Sequence, residues 1–344
     1  MTHHQPGCRC STTLVAGLRP CRHHGEHPRA CSVARVIALL APGQGSQAPG
    51  MLSPWLELDG VEETLASWSE VASLDLIRLG TTADADEIKD TAVTQPLVVA
   101  LSLVAATELG KRVSIPAGTP VAGHSVGELA AAAVVGALSF DDAVALAAVR
   151  GREMAAACGL EPTGMTAVLG GDPEAVVAHL EQVGLDPANR NGAGQIVAAG
   201  RLPALEALAE EPPEGARVRP LAVAGAFHTR FMESAREALG VHAEKVATAE
   251  PTLPLLSNAD GAFVSEPADI MRRLVAQVTS PVRWDLCMAA LAERGVAATV
   301  ELAPAGTLSG LVKRELKGTK AIALKTPADL DKAGELLDDS GSNT

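Results

Sequence analysis

The sequence predicts a mixed α/β fold: an α/β-hydrolase-like large subdomain into which a smaller ferredoxin-like (β-α-β-β-α-β) subdomain is inserted. Three observations predict it. Short apolar runs bounded by glycine and proline alternate with longer helical patterns, the rhythm of a parallel sheet covered by helices. One such run, "VAGHSVGELA" at 121–130, ends on a serine between two glycines and passes at once into an alanine-rich helix. Between residues 160 and 224 the spacing tightens, and the order becomes strand, helix, two strands, helix, strand.

Residues 1–32 carry no periodic apolar pattern and read as a disordered extension. They hold Cys8, Cys10, Cys21 and Cys31 with His3, His4, His23, His24 and His27. These are zinc-ligand types, but Cys8-x-Cys10 is shorter than the usual C-x2–4-C pair, so no metal site is expected. The first strand, "VARVIALLA", begins at Val33, and "PGQGSQAPG" stops it. Helical patterns follow around 51–71 and 95–110, and "GTPVAGHS" is a short strand ending at the serine turn. Ser139 followed by Asp142 resembles a capping box, opening a helix that runs to about Ala157. In the insert, "MTAVLG" is a strand, and Asp172 and Pro173 open "DPEAVVAHLEQVG" as N-cap and first helical residue. A strand around 186–190, "QIVAAG", a helix around 202–210 and "ARVRPLAV" complete it. After Gly225 the first rhythm resumes, with strands near 253–256, 298–302 and 321–324. The plan is therefore a large subdomain of 33–159 and 225–328, an insert of 160–224, and a helix end with a frayed tail over 329–344.

A chain of 344 residues with 47% apolar content can bury a sizeable core without disulfides. With four Phe, three Trp and no Tyr, that core is built of Ala, Val and Leu, and stacking platforms for bases or sugars are not expected. A net charge of −13 argues against nucleic acid or an anionic membrane as partner, while leaving phosphorylated ligands to local Arg and Lys. No stretch reaches the roughly 20 uninterrupted apolar residues of a membrane span. The longest, "PLVVALSLVAATELG", has the length of a buried helix, and residues 1–32 lack the apolar core of a secretory signal. A cytoplasmic protein is expected.

Gly123-x-Ser125-x-Gly127 matches a nucleophile elbow. A serine in a tight strand-to-helix turn is pushed out of the sheet, and side chains flanking such a turn would clash, which calls for glycine on both sides. The helix that follows aims unpaired N–H groups at the same point, where they can hold an oxyanion. A plain turn is the bland alternative. Serine also needs a base. His124 points away in a sharp turn, and His179 and His242 lie in exposed helical patterns. His228, in "AGAFHTRFM", sits at another strand-to-helix junction and is the candidate, a helix-capping role being its alternative.

"APGQGSQAPGM", "GHSVGELAA", "RGREM", "GAFHTRFM", "QVTSPVRW" and "ELAPAGTLSGLVKR", in this order, resemble the malonyl-CoA:acyl carrier protein transacylase family over about Val33 to Ala328. The resemblance implies Ser125 as acylated nucleophile and His228 as base and acid. It implies Gln44 and the backbone N–H of Val126 as oxyanion hole, and the backbone carbonyl of Gln277 in place of a triad acid. Arg150 would receive the malonyl carboxylate, a task suited to a planar, permanently charged fork. Met154 would line the same pocket, Phe227 would crowd a branched acyl group, and Asn189 and Asn191 would lie near the entrance. The chain departs from the family at "APGQG", where Phe often precedes the proline, and in its first 32 residues.

The reading is a ping-pong malonyl transferase that supplies fatty acid synthesis. Its partners are a coenzyme A ester and acyl carrier protein; no metal or other cofactor is implied, and a monomer is expected. The alternatives are a polyketide-pathway acyltransferase with another extender unit, a serine hydrolase or thioesterase, and a non-catalytic carrier-docking module.

Overall fold

The computed structural model describes residues 36–341; the Cys/His-containing extension and the expected strand start at Val33 lie outside the described residues. The chain runs β1 (Val36–Ala41), α1 (Val61–Ala72), α2 (Leu76–Thr81), α3 (Thr91–Gly110), β2 (Val121–Gly123), α4 (Gly127–Val134) and α5 (Phe140–Cys158). Then come β3 (Thr163–Gly170), α6 (Pro173–Gln182), β4 (Asp186–Gly192), β5 (Gln195–Arg201), α7 (Leu202–Glu210) and β6 (Ala216–Pro220). It closes with α8 (Glu233–Ala243), β7 (Leu255–Leu256), β8 (Phe263–Val264), α9 (Pro267–Ala276), α10 (Trp284–Glu293), β9 (Val296–Glu301), α11 (Thr307–Glu315), β10 (Lys320–Ala323) and α12 (Leu330–Gly341).

A six-stranded sheet of order β10-β9-β1-β2-β7-β8 forms the body, parallel except for the β7–β8 pair. The unbroken apolar run of β1 follows from burial on both faces. Ile37, Leu39 and Ala41 pack into one core with residues of α3, α4 and α5, while Ala38 and Leu40 pack into another with residues of α10 and α11. α3 is long and apolar enough to cross a bilayer by length and composition, but 83% of that stretch is buried inside the fold, as suits a core helix.

The second sheet has four antiparallel strands in the order β4-β5-β3-β6. Val168, Ile196 and Ala198 meet Val176, Leu180, Leu205 and Leu208 of α6 and α7 in a separate small core. Asp172 caps α6 by accepting from Ala175 N at 3.0 Å. β4 of the small sheet is tied by backbone to the segment leading into α10: Val282 N donates to Ala188 O, and Arg190 N to Val282 O, both at 2.9 Å.

Residues 329–344 read as a helix end and frayed tail; α12 is a helix of 12 residues that runs into "DDSGSNT" as far as Gly341, and residues 342–344 lie outside the described residues. Leu330, Ala333 and Leu337 form an i, i+3, i+7 stripe buried in the core with α3 and β1. The polar residues between them obscured that stripe in the sequence.

Candidate active site

β2 enters the elbow and α4 leaves it. Ser125 holds a left-handed backbone, φ 54°, and its N–H donates to Asn258 Oδ1 at 2.8 Å. The turn's own bonds run from Gly127 N to His124 O and from Glu128 N to Ser125 O, both at 2.9 Å, and leave the Val126 N–H out. The glycines are explained by distance. A Cβ on Gly123 would lie 2.0 Å from Gly127 O, and one on Gly127 would lie 2.4 Å from Ala41 O. Gly43, in the loop after β1, is equally confined, 2.5 Å from His124 O, whereas Gly45 is open and owes its place to φ 101°.

His228 also has a left-handed backbone, φ 62°. Its Nε2 lies 2.7 Å from Ser125 Oγ, and its Nδ1 2.8 Å from the carbonyl of Gln277. A carbonyl only accepts, so Nδ1 carries the hydrogen and Nε2 is free to take one. Burial, reinforced by the charge of Arg150, pushes the imidazole down to about 3, so it is neutral at ordinary pH.

Arg150, on α5, is 2% exposed. Its guanidinium donates to Gln95 Oε1 at 2.6 Å, to Gln277 Oε1 at 2.9 Å and to Ser125 Oγ at 3.3 Å. Burial lowers its pKa to about 10, which keeps it charged at neutral pH. It faces a cavity of about 220 Å³ that opens over Ser125 and His228. Met154 and Phe227 line that cavity, Gln44 and Val126 border it, and Met165, Ala167 and Val197 of the small sheet form its far wall. Asn189 and Asn191 line it too, and Asn191 Oδ1 sits 2.9 Å from His124 Nε2. Gln44 Nε2 reaches Thr91 Oγ1 at 3.3 Å. All the sequence-selected residues thus converge except Gln277, which stands behind the cavity with its carbonyl on His228 and its amide on Arg150.

Sequence reasoning missed Gln95, Glu128 and Asn258. Asn258 staples the elbow, taking Ser125 N and donating to Gly123 O at 2.7 Å. Glu128, buried in the first turn of α4, accepts from Asn258 N at 2.6 Å and from Gln277 Nε2. Burial pushes its carboxyl up to about 7. Their only signal was a polar residue within an apolar run, as in "VTQPLVV". Among the described residues no group of three or more His, Cys, Asp or Glu is arranged to hold a metal.

The Acyl transferase domain family matches residues 39–331, which sets the class of protein that this fold and site define. The malonyl CoA-acyl carrier protein transacylase of Mycobacterium tuberculosis strain H37Rv is 61% identical over 303 residues, 88% of this chain and 100% of that protein. A crystal structure of MCAT from Mycobacterium tuberculosis superposes with a TM-score of 0.84 at 61% identity, covering 87% of this chain and 99% of its own. A further structure, PlMCAT:AntF, a type II PKS acyl-carrier protein in complex with its malonyl-transacylase, gives a TM-score of 0.82 at 31% identity, covering 88% and 99%. The chain belongs to the acyl transferase domain family and, within it, to the malonyl CoA-acyl carrier protein transacylases.

Proposed function

We propose that the protein moves a malonyl group from malonyl-CoA to the phosphopantetheine thiol of acyl carrier protein through a malonyl-Ser125 intermediate. The observation that carries this reading is the run Gln277 O, His228, Ser125 Oγ beside a buried Arg150. His228 Nε2 takes the hydroxyl proton as Ser125 Oγ attacks the thioester carbonyl. The Val126 N–H and Gln44 hold the oxyanion. The C–S bond then breaks, and His228 returns its proton to the departing CoA thiolate. In the second half the carrier thiol gives its proton to His228 and attacks the ester, and Ser125 leaves with that proton. Arg150 pairs with the malonyl carboxylate, Met154 and Phe227 pack beside the acyl group, and Asn189 and Asn191 flank the entrance. The coenzyme A ester and the carrier protein supply everything these steps consume.

The large sheet with its helices is read as the α/β-hydrolase-like catalytic subdomain and the four-stranded unit, 160–224, as a ferredoxin-like wall, which its strand order supports. A monomer of the cytoplasm, serving fatty acid synthesis, fits this reading. A polyketide pathway is the second reading, favoured by the likeness to a transacylase bound to a type II PKS carrier protein.

Intact mass spectrometry after mixing with malonyl-CoA tests the proposal. One malonyl adduct is expected on the parent, none on Ser125→Ala, and loss of the adduct to added carrier protein. An adduct on Ser125→Ala overturns the nucleophile, and discharge to water as fast as to carrier protein makes the protein a hydrolase.

A further inference from the structure

Resting on that malonyl-transfer reading, we infer that Glu128 is a positioning carboxylate that balances Arg150 through the Gln277 amide while the site is empty and takes up a proton from water when the acyl group's own carboxylate arrives. The connection is a single amide with a charge at each end. Gln277 Nε2 donates to Glu128 Oε2, and Gln277 Oε1 accepts from Arg150 at 2.9 Å. The direct partners of the guanidinium, Gln95, Gln277 and Ser125, are all neutral. Among the described residues Glu128 is the one anion whose charge acts on Arg150, and it is 4% exposed.

The other charged or titratable groups around Glu128 do not compete. Arg273 of α9 borders the same small void but is held by Asp260 and Asp269 at 2.9 and 2.8 Å. The Cys287 thiol of α10 is pushed up by burial and by Glu128 itself, so it stays neutral. His228 is neutral for the reasons given above. The empty site therefore holds one buried cation and one buried anion.

A malonyl carboxylate pairing with Arg150 makes that two anions for one cation in a water-excluded space. A surplus buried charge is removed by protonation rather than tolerated. The carboxylate that lacks direct contact with the guanidinium is the one that yields, and burial already brings Glu128 to about 7. An acetyl group brings no charge and calls for no proton. The preference for an acid-bearing acyl group thus becomes dependent on pH, a property a merely structural Glu128 would not confer.

The test is the ratio of acyl-enzyme formation rates with malonyl-CoA and acetyl-CoA between pH 6 and 9, each ester followed by intact mass. In the ratio, the titrations of His228 and of the leaving thiol cancel. The ratio is expected to fall by about tenfold per pH unit above about pH 7. It should keep a titration in Glu128→Asp and become flat in Glu128→Gln. A ratio independent of pH in the parent overturns the role of Glu128, while absence of any acyl-enzyme at every pH overturns the transfer reading beneath it. Infrared difference spectra of the parent at pH 8 give a second measure that needs no variant. A protonated-carboxyl band that appears on malonylation but not on acetylation supports the inference, and its absence overturns it.

Discussion

Arg150 is a buried cation with no carboxylate in contact, and one of its donors rests 3.3 Å from the oxygen that is to react. Replacing it with alanine removes the partner of an acyl carboxylate but takes nothing from an acetyl group. A charge-assisted bidentate pair contributes about 1.5–3 kcal/mol, so Arg150→Ala should slow malonyl transfer by about 10- to 150-fold. Acetyl transfer should hold or rise, because His228 loses a neighbouring positive charge and becomes a stronger base. Competition between the two CoA esters measures this, and equal malonyl rates with and without Arg150 would refute the pairing. Ser125 and His228 were legible in the sequence because each sits in a local pattern, a glycine-flanked turn and a strand-to-helix junction. Glu128, Asn258 and Gln95 were not. Their partners are far away along the chain, 130 positions in the case of Asn258 N and Glu128, and no local spacing encodes such a meeting.

α4 approaches the end of β1 so closely that backbone meets backbone. A methyl group on Gly127 would lie 2.4 Å from Ala41 O and 2.6 Å from Pro42 O, and neither carbonyl is a flexible side-chain end. Gly127→Ala should therefore cost about 1–3 kcal/mol of stability, as overpacking does. It should cost more in turnover, because the helix that carries the elbow must shift. A variant that keeps both its melting temperature and its malonyl transfer would show that the contact is not needed. At this scale the sequence was most informative where caps are local: Ser139 at α5 accepts from Asp142 N at 3.0 Å, and Asp172 opens α6. It was least informative for α12, whose buried stripe is visible only once α3 and β1 are seen to lie against it.

Ending the chain after Asp329 tests the part α12 plays in the whole. The truncation removes buried Leu330, Leu336 and Leu337, each contributing about 1.5–3 kcal/mol, against a total stability of about 5–15 kcal/mol. The shortened protein should be largely unfolded at 37 °C by circular dichroism; an unchanged melting temperature would mean that the helix adds little. The buried imidazole leaves its own mark on the molecule. Its folded pKa, about 3, lies below the ordinary 6.5, so below pH 6.5 the unfolded chain binds a proton that the native state refuses. The contribution of this group is full above pH 6.5 and falls as the pH drops towards 3, by about 1.4 kcal/mol per unit. In urea titrations at pH 7.5 and pH 5, His228→Gln should lose less stability than the parent, and equal losses would contradict a neutral, buried His228. The two-sheet plan was legible because a change of rhythm along a chain survives imprecise element ends. The tie between β4 and the segment before α10 was not, since it is made by backbone atoms of residues 188, 190 and 282, whose side chains carry no sign of it.

The histidine is steered by a main-chain oxygen at Gln277, and that has a consequence for heredity. A triad acid is erased by one change of codon. A peptide carbonyl is supplied by all twenty amino acids, so no missense change at 277 deletes it, although many would disturb the side-chain amide beside it. What this link is exposed to is a change in length. A residue inserted into or lost from the turn at Gln277–Thr279 would carry the oxygen off the imidazole while leaving every named side chain in the gene.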